Sequence, residues 1–137
     1  MPARYAVAGV AGLAIAVGLA QEERRLWRQD ADPPSVSAAA DELRVQVRAD
    51  ELVGTDLPIV AYLADRRVPG QLVDSSFVRL GTGSLTNDDV LVELERNNVR
   101  AVVVGRLYAE RPGLMAALRE RYPTRLERDG ITLYLAP

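Results

Sequence analysis

The stretch VRAVVVGR, Val99 to Arg106, decides how this chain folds. It joins a short continuous apolar run to a glycine exit and lies between two segments of helical periodicity, which is how a central strand of a parallel sheet reads. A run of this length also fits a buried turn of helix. Val102, Val103 and Val104 favour the strand, because β-branched residues in succession crowd χ1 in a helix and pack well on a pleated surface.

Outward on the C-terminal side, Gly105-Arg106-Leu107-Tyr108 leads through Arg111-Pro112-Gly113 into a helix whose apolar stripe is Leu114, Ala117, Leu118 and Tyr122, ended by Pro123. Thr124 to Arg128, Asp129-Gly130 and Ile131 to Leu135 then read as a hairpin. Ile131, Leu133 and Leu135 alternate with Thr132 and Tyr134, and Asp-Gly suits a type I′ turn. On the N-terminal side, Thr86 and Asp89 have capping-box spacing before a helix with Val90, Leu91 and Leu94 inward, closed by Asn97-Asn98.

Further upstream, Val36, Ala40, Leu43 and Val47 make one stripe on a helix ending near Arg48 or Ala49. Leu52-Val53 reads as a short strand with Gly54-Thr55-Asp56 as its exit. Pro58 opens a second helix to about Asp65, with a strand over Leu57 to Leu63 as the alternative. Leu72-Val73 is a candidate strand inside the least periodic segment, Arg66 to Ser84. The elements add up to a small three-layer, Rossmann-like α/β sheet with an antiparallel C-terminal hairpin.

Ligands of open α/β sheets sit beyond the carboxyl ends of the strands. On that rule the candidates for polar, phosphate or sugar contact are Arg66, Arg67, Asp74, Arg79 and Arg106, guanidinium forks being well matched to phosphate. The plainer reading of Asp74 is a turn cap or the partner of a nearby arginine. Gly81-Thr82-Gly83-Ser84 lacks the following lysine of a phosphate-binding loop and the glycine spacing of a dinucleotide fingerprint. Asp56 and Asp74 are the only carboxylates to nominate for a glycoside-cleaving pair, which needs two carboxyl groups about 5 to 9 Å apart.

The 137 residues hold 17 arginines, no lysine and 19 acidic side chains, a net charge of -2 that argues against general nucleic-acid binding. With no cysteine or histidine, disulfides, thiolate catalysis, Ser-His-Asp triads and histidine-ligated metal sites are excluded. No cofactor and no metal are expected. Tyr5 to Ala20 is 16 residues without a charge. As a helix it would span about 24 Å, against roughly 30 Å of membrane hydrocarbon. Three readings compete there: a membrane helix packed through Gly9 and Gly12, a signal peptide ending near Ala20, or a buried helix. The first organises the chain as a membrane or membrane-proximal helix over 1–29, a hinge over 30–34 at Asp30 to Pro34, and a soluble α/β domain over 35–137.

The run from Asp56 to Tyr134, about 80 residues, resembles the C-terminal soluble domain of bacterial membrane glycosyltransferases similar to the dolichyl-phosphate-mannose-protein mannosyltransferase group. The pieces that carry the likeness are YLADRRVPGQLVDSSFVRLGTGSLT (Tyr62 to Thr86), AVVVGRL (Ala101 to Leu107), PGLMAAL (Pro112 to Leu118) and ITLYL. Gly70 departs from the pattern, standing where a second proline is usual. The resemblance implies a transferase fed by a polyprenyl-phosphate sugar, a transmembrane helix at the N-terminus, localisation at the cell membrane and an extracytoplasmic soluble domain. It also implies that the catalytic acid belongs to a multi-spanning part lying outside this sequence, so that no residue here is catalytic. The chain then reads as a fragment, a separate module or a subunit beside that membrane part, with polyprenyl-phosphate sugar or acceptor as further partners. The rival classes are a membrane-surface interaction module and a small enzyme using Asp56 and Asp74.

Overall fold

The structure, a computed structural model, describes residues 34–137. Helix α1 (Pro34–Gln46) buries Val36, Ala39, Ala40 and Leu43, and Val47 just beyond its end is buried as well. Spacings of three and four place these on one face. Strand β1 (Val53–Thr55) is buried throughout. Helix α2 (Pro58–Leu63) begins on its proline, whose missing N–H would have had no partner in a first turn, and this decides for helix over strand.

The expected strand at Leu72-Val73 is instead a 3-10 turn (Gly70–Leu72), followed by helix α3 (Phe77–Thr82). The outer edge of β1 is taken by a single bridge between Leu52 and Arg67, and the Leu72 N–H bonds the Pro69 carbonyl at 2.8 Å. Leu72 is fully buried all the same, so its apolar character served a turn that plugs the core. Ser76 caps α3 through its hydroxyl, and Gly83 ends it with φ 74°, a left-handed conformation that favours glycine.

Helix α4 (Asn87–Arg96) carries the full capping box: the Asp89 N–H donates to the Thr86 hydroxyl at 3.1 Å and the Thr86 N–H to the Asp89 carboxylate at 2.8 Å. Thr86→Ala is expected to cost about 1 kcal/mol, read as a lowered urea midpoint. An unchanged midpoint would mean that tertiary packing alone holds this helix start. Strand β2 (Ala101–Val104), helices α5 (Arg106–Ala109) and α6 (Pro112–Arg121), and strands β3 (Thr124–Arg128) and β4 (Ile131–Leu135) complete the order. Asp129 and Gly130 both have positive φ, 47° and 85°, as a two-residue hairpin turn requires.

The strands lie in the order β1-β2-β4-β3, with β1 parallel to β2 and the other two pairings antiparallel. Strand β2 is therefore central, with Ala101 opposite Val53 on one side and Leu135 on the other. Alternation sends Val102, Val104 and Tyr134 into one cluster with Val90 and Leu94 of α4 and Leu114 and Leu118 of α6. It sends Ala101, Val103, Leu133 and Leu135 into another, with Ala39, Ala40 and Leu43 of α1 and Val60 of α2. Gly54 allows α4 to settle on β1, since a Cβ there would lie 2.3 Å from Leu94 Cδ2.

The expected fold class is corrected. What the residues build is a mixed α/β fold with a four-stranded sheet and several helices, and only one strand pair is parallel, because the two C-terminal strands return as a tight hairpin where a Rossmann-like sheet needs a helical crossover. The expected transmembrane helix and cell-membrane localisation with an extracytoplasmic domain are corrected to what the described residues hold: no helix among them is long and apolar enough to cross a membrane. The segment on which that expectation fell, Tyr5 to Ala20, lies outside the described residues, as does most of the 30–34 hinge.

Candidate functional site

Strands β1 and β2 run parallel, so their carboxyl ends open on the same side and define the crevice in which an α/β ligand site is sought. Asp56 follows β1 directly, and its side chain is buried. One carboxylate oxygen accepts the Gly105 N–H at 2.6 Å and the other the Tyr108 N–H at 2.9 Å. Asp56 thereby satisfies the free N–H groups where β2 turns into α5, an arrangement that suits an anion. Burial pushes its carboxyl above the usual range, while the N–H groups of Gly105 and Tyr108 pull the other way.

Leu57 closes the remaining space. A Cβ on Gly105 would lie 2.5 Å from Leu57 Cγ, so the two strand exits are pressed together. Beneath them the Tyr108 hydroxyl lies 3.0 Å from the Ser75 hydroxyl, which itself donates to the Leu72 carbonyl at 3.0 Å. Tyr108 is fully buried, and that burial pushes its phenol up to about 12. Among the described residues no buried side-chain polar atom lacks a hydrogen-bond partner, so nothing at this exit is left aimed at an absent ligand.

The nominated residues are distributed over the surface. Arg66 donates to the carbonyls of Val47, Ala64 and Asp65 at 2.8, 2.9 and 3.0 Å and to that of Arg44 at 3.1 Å, a clamp between the end of α1 and the end of α2. Arg67 donates to the Asp50 carbonyl at 3.1 Å. Arg79 reaches the carbonyls of Gln71 and Asp74, both at 3.0 Å. Asp74 thus meets an arginine through its backbone, and its carboxylate stays exposed. Arg106 pairs with Glu110 at 3.1 Å on the surface. Only Asp74 and Arg79 of the set are hydrogen-bonded to one another. Asp56 is buried with both oxygens occupied and Asp74 is solvated, and among the described residues there is no acidic cluster that could hold a metal.

Two features of the site went unread in the sequence. The bond from Asp56 to Gly105 spans 49 residues and has no local signature beyond an aspartate at one strand end and a glycine at another. The second is a cleft walled by Arg106, Arg119 and Arg125. Of its arginines only Arg106 was a sequence candidate, and Arg125 left no more than its place on the same alternating face as Tyr134, its partner across the hairpin.

Compared with known proteins, the chain matches no family model, no curated protein and no solved structure. The class that stands is the mixed α/β domain described above. The expected description of the chain as a transmembrane glycosyltransferase fragment is corrected with it, since no such helix occurs among the described residues and no match ties the domain to glycosyl transfer.

Proposed function

We propose that the domain is an accessory binding domain with no catalytic residue of its own, serving a partner that takes sugar from a polyprenyl-phosphate donor. The observation that carries the non-catalytic reading is the use of Asp56. A buried carboxylate that accepts a backbone N–H on each oxygen is committed to holding two strand exits together and is shielded from a substrate. The choice of partner rests on the resemblance of Tyr62 to Thr86 and Ala101 to Leu107. A contact face is offered by Val73, Phe77 and Val78, apolar side chains left 54, 69 and 67% exposed on adjoining turns.

The same three side chains also suit an autonomous interaction module, the second reading. One assay addresses both: the purified full chain, alone and added to a polyprenyl-phosphate-sugar transferase with lipid or protein acceptors. The expected result is no turnover by the chain alone and altered turnover when it is added, an effect lost in Phe77→Asp. Absence of any effect on the transferase favours the autonomous module. Turnover by the chain alone that disappears in Asp74→Asn, at an exposed side chain that makes no bond among the described residues, overturns the non-catalytic reading.

A further inference from the structure

Gly105 also borders an open concavity on the surface. A cleft of about 420 Å³ lies there, floored by Val104, Met115 and Tyr134. Met115 and Arg119, one helical turn apart, share a face of α6, and Arg125 lies opposite Tyr134 on the uncovered margin of the sheet. Arg106 enters from the start of α5, directly after β2. Three arginines from three separate elements thus line one concavity beside the carboxyl end of the central strand.

Their charges are loosely held. Arg106 pairs with Glu110 at 3.1 Å and Arg125 with Glu127 at 2.8 Å, each pair exposed on both partners and readily exchanged for a stronger anion. Among the described residues Arg119 has no carboxylate partner. The cleft is far larger than one phosphate ion and falls in the range of small organic ligands, roughly 300 to 1,000 Å³.

We propose that this cleft binds an organic phosphate, with Arg106, Arg119 and Arg125 on the phosphoryl oxygens and the apolar floor beneath the organic body. Planar guanidinium forks meet phosphate oxygens in pairs, and the Thr132 hydroxyl adds a neutral donor from the lining. The proposal is independent of the accessory reading, since it needs neither a transferase partner nor the Val73 and Phe77 surface.

The test uses the full chain in calorimetric titrations with uridine diphosphate, and sedimentation with phosphatidylcholine vesicles carrying phosphatidic acid. Arg119→Gln and Arg125→Gln are compared with Arg96→Gln, a surface arginine of α4 outside the cleft, and thermal melts check that all three remain folded. Saturable binding of the diphosphate, weakened about tenfold in each cleft variant and unchanged in Arg96→Gln, is the expected result. Binding to the vesicles alone with the same sensitivity sustains the site and assigns the phosphoryl group to a lipid headgroup. Failure of both probes to bind, or binding equally weakened by all three variants, overturns it.

Discussion

Asp56→Ala is expected to destabilise the domain by about 2 to 4 kcal/mol, the largest effect of any carboxylate replacement among the described residues. The change removes two charge-assisted bonds and leaves the N–H groups of Gly105 and Tyr108 buried without acceptors. Relief of the buried charge, the same desolvation that pushes this carboxyl upward, offsets part of the loss. Asp56→Asn keeps the shape but turns one acceptor into a donor facing an N–H, so it recovers little. Asp74→Asn, on an exposed side chain, should stay within about 0.5 kcal/mol of wild type. Urea midpoints of the three variants give the order directly, and an Asp56→Asn midpoint at the wild-type value would show that one of the two bonds does not contribute.

Tyr108→Ala should cost about 3 to 5 kcal/mol, because it empties the volume of the largest fully buried side chain among the described residues. Tyr108→Phe keeps that volume and loses only the contact with Ser75, whose hydroxyl retains the Leu72 carbonyl, so about 1 kcal/mol is expected. The pH dependence separates the two roles. The folded phenol titrates at about 12 against an ordinary value of 10.0, so the stabilisation it brings is complete below about pH 10. It is lost as pH rises toward the folded value, since the unfolded chain gives up the proton first. Midpoints measured from neutral to strongly alkaline pH should fall more steeply for wild type than for Tyr108→Phe, and identical slopes would place the phenol in contact with solvent.

Several elements were legible because their causes lie within a few residues. The reciprocal bonds between Thr86 and Asp89 need only a three-residue spacing, and the Asp129-Gly130 turn needs two residues that tolerate positive φ. Pro58 marks a helix start because proline forfeits an N–H that a first turn leaves unpaired. At β2 the apolar run with its glycine exit marked the element, and the branching of Val102 to Val104 chose strand over helix.

Where burial was legible but geometry was not, the reading slipped. Leu72 had to be inside, yet strand and 3-10 turn bury a leucine equally well. The choice fell to the outer edge of β1, which is already taken by Arg67. The arginines were legible as charges and their partners were not. Arg66 spends its guanidinium on the carbonyls of Arg44 and Val47, 22 and 19 residues away, and such acceptors are present in every residue and leave no mark in a sequence.

The sequence by itself determined where the chain turns, which residues go inside, and which chemistries lack the side chains they need, because propensity, periodicity and composition are local or additive. Tertiary structure alone decided that Asp56 seals the junction of β2 and α5 at Gly105, and that Arg106, Arg119 and Arg125 share one cleft. Both depend on strands and helices distant in sequence being set side by side in the sheet. Hydrogen bonds and charge clusters between such elements are fixed by strand order and register, and these arise only when the whole core is packed.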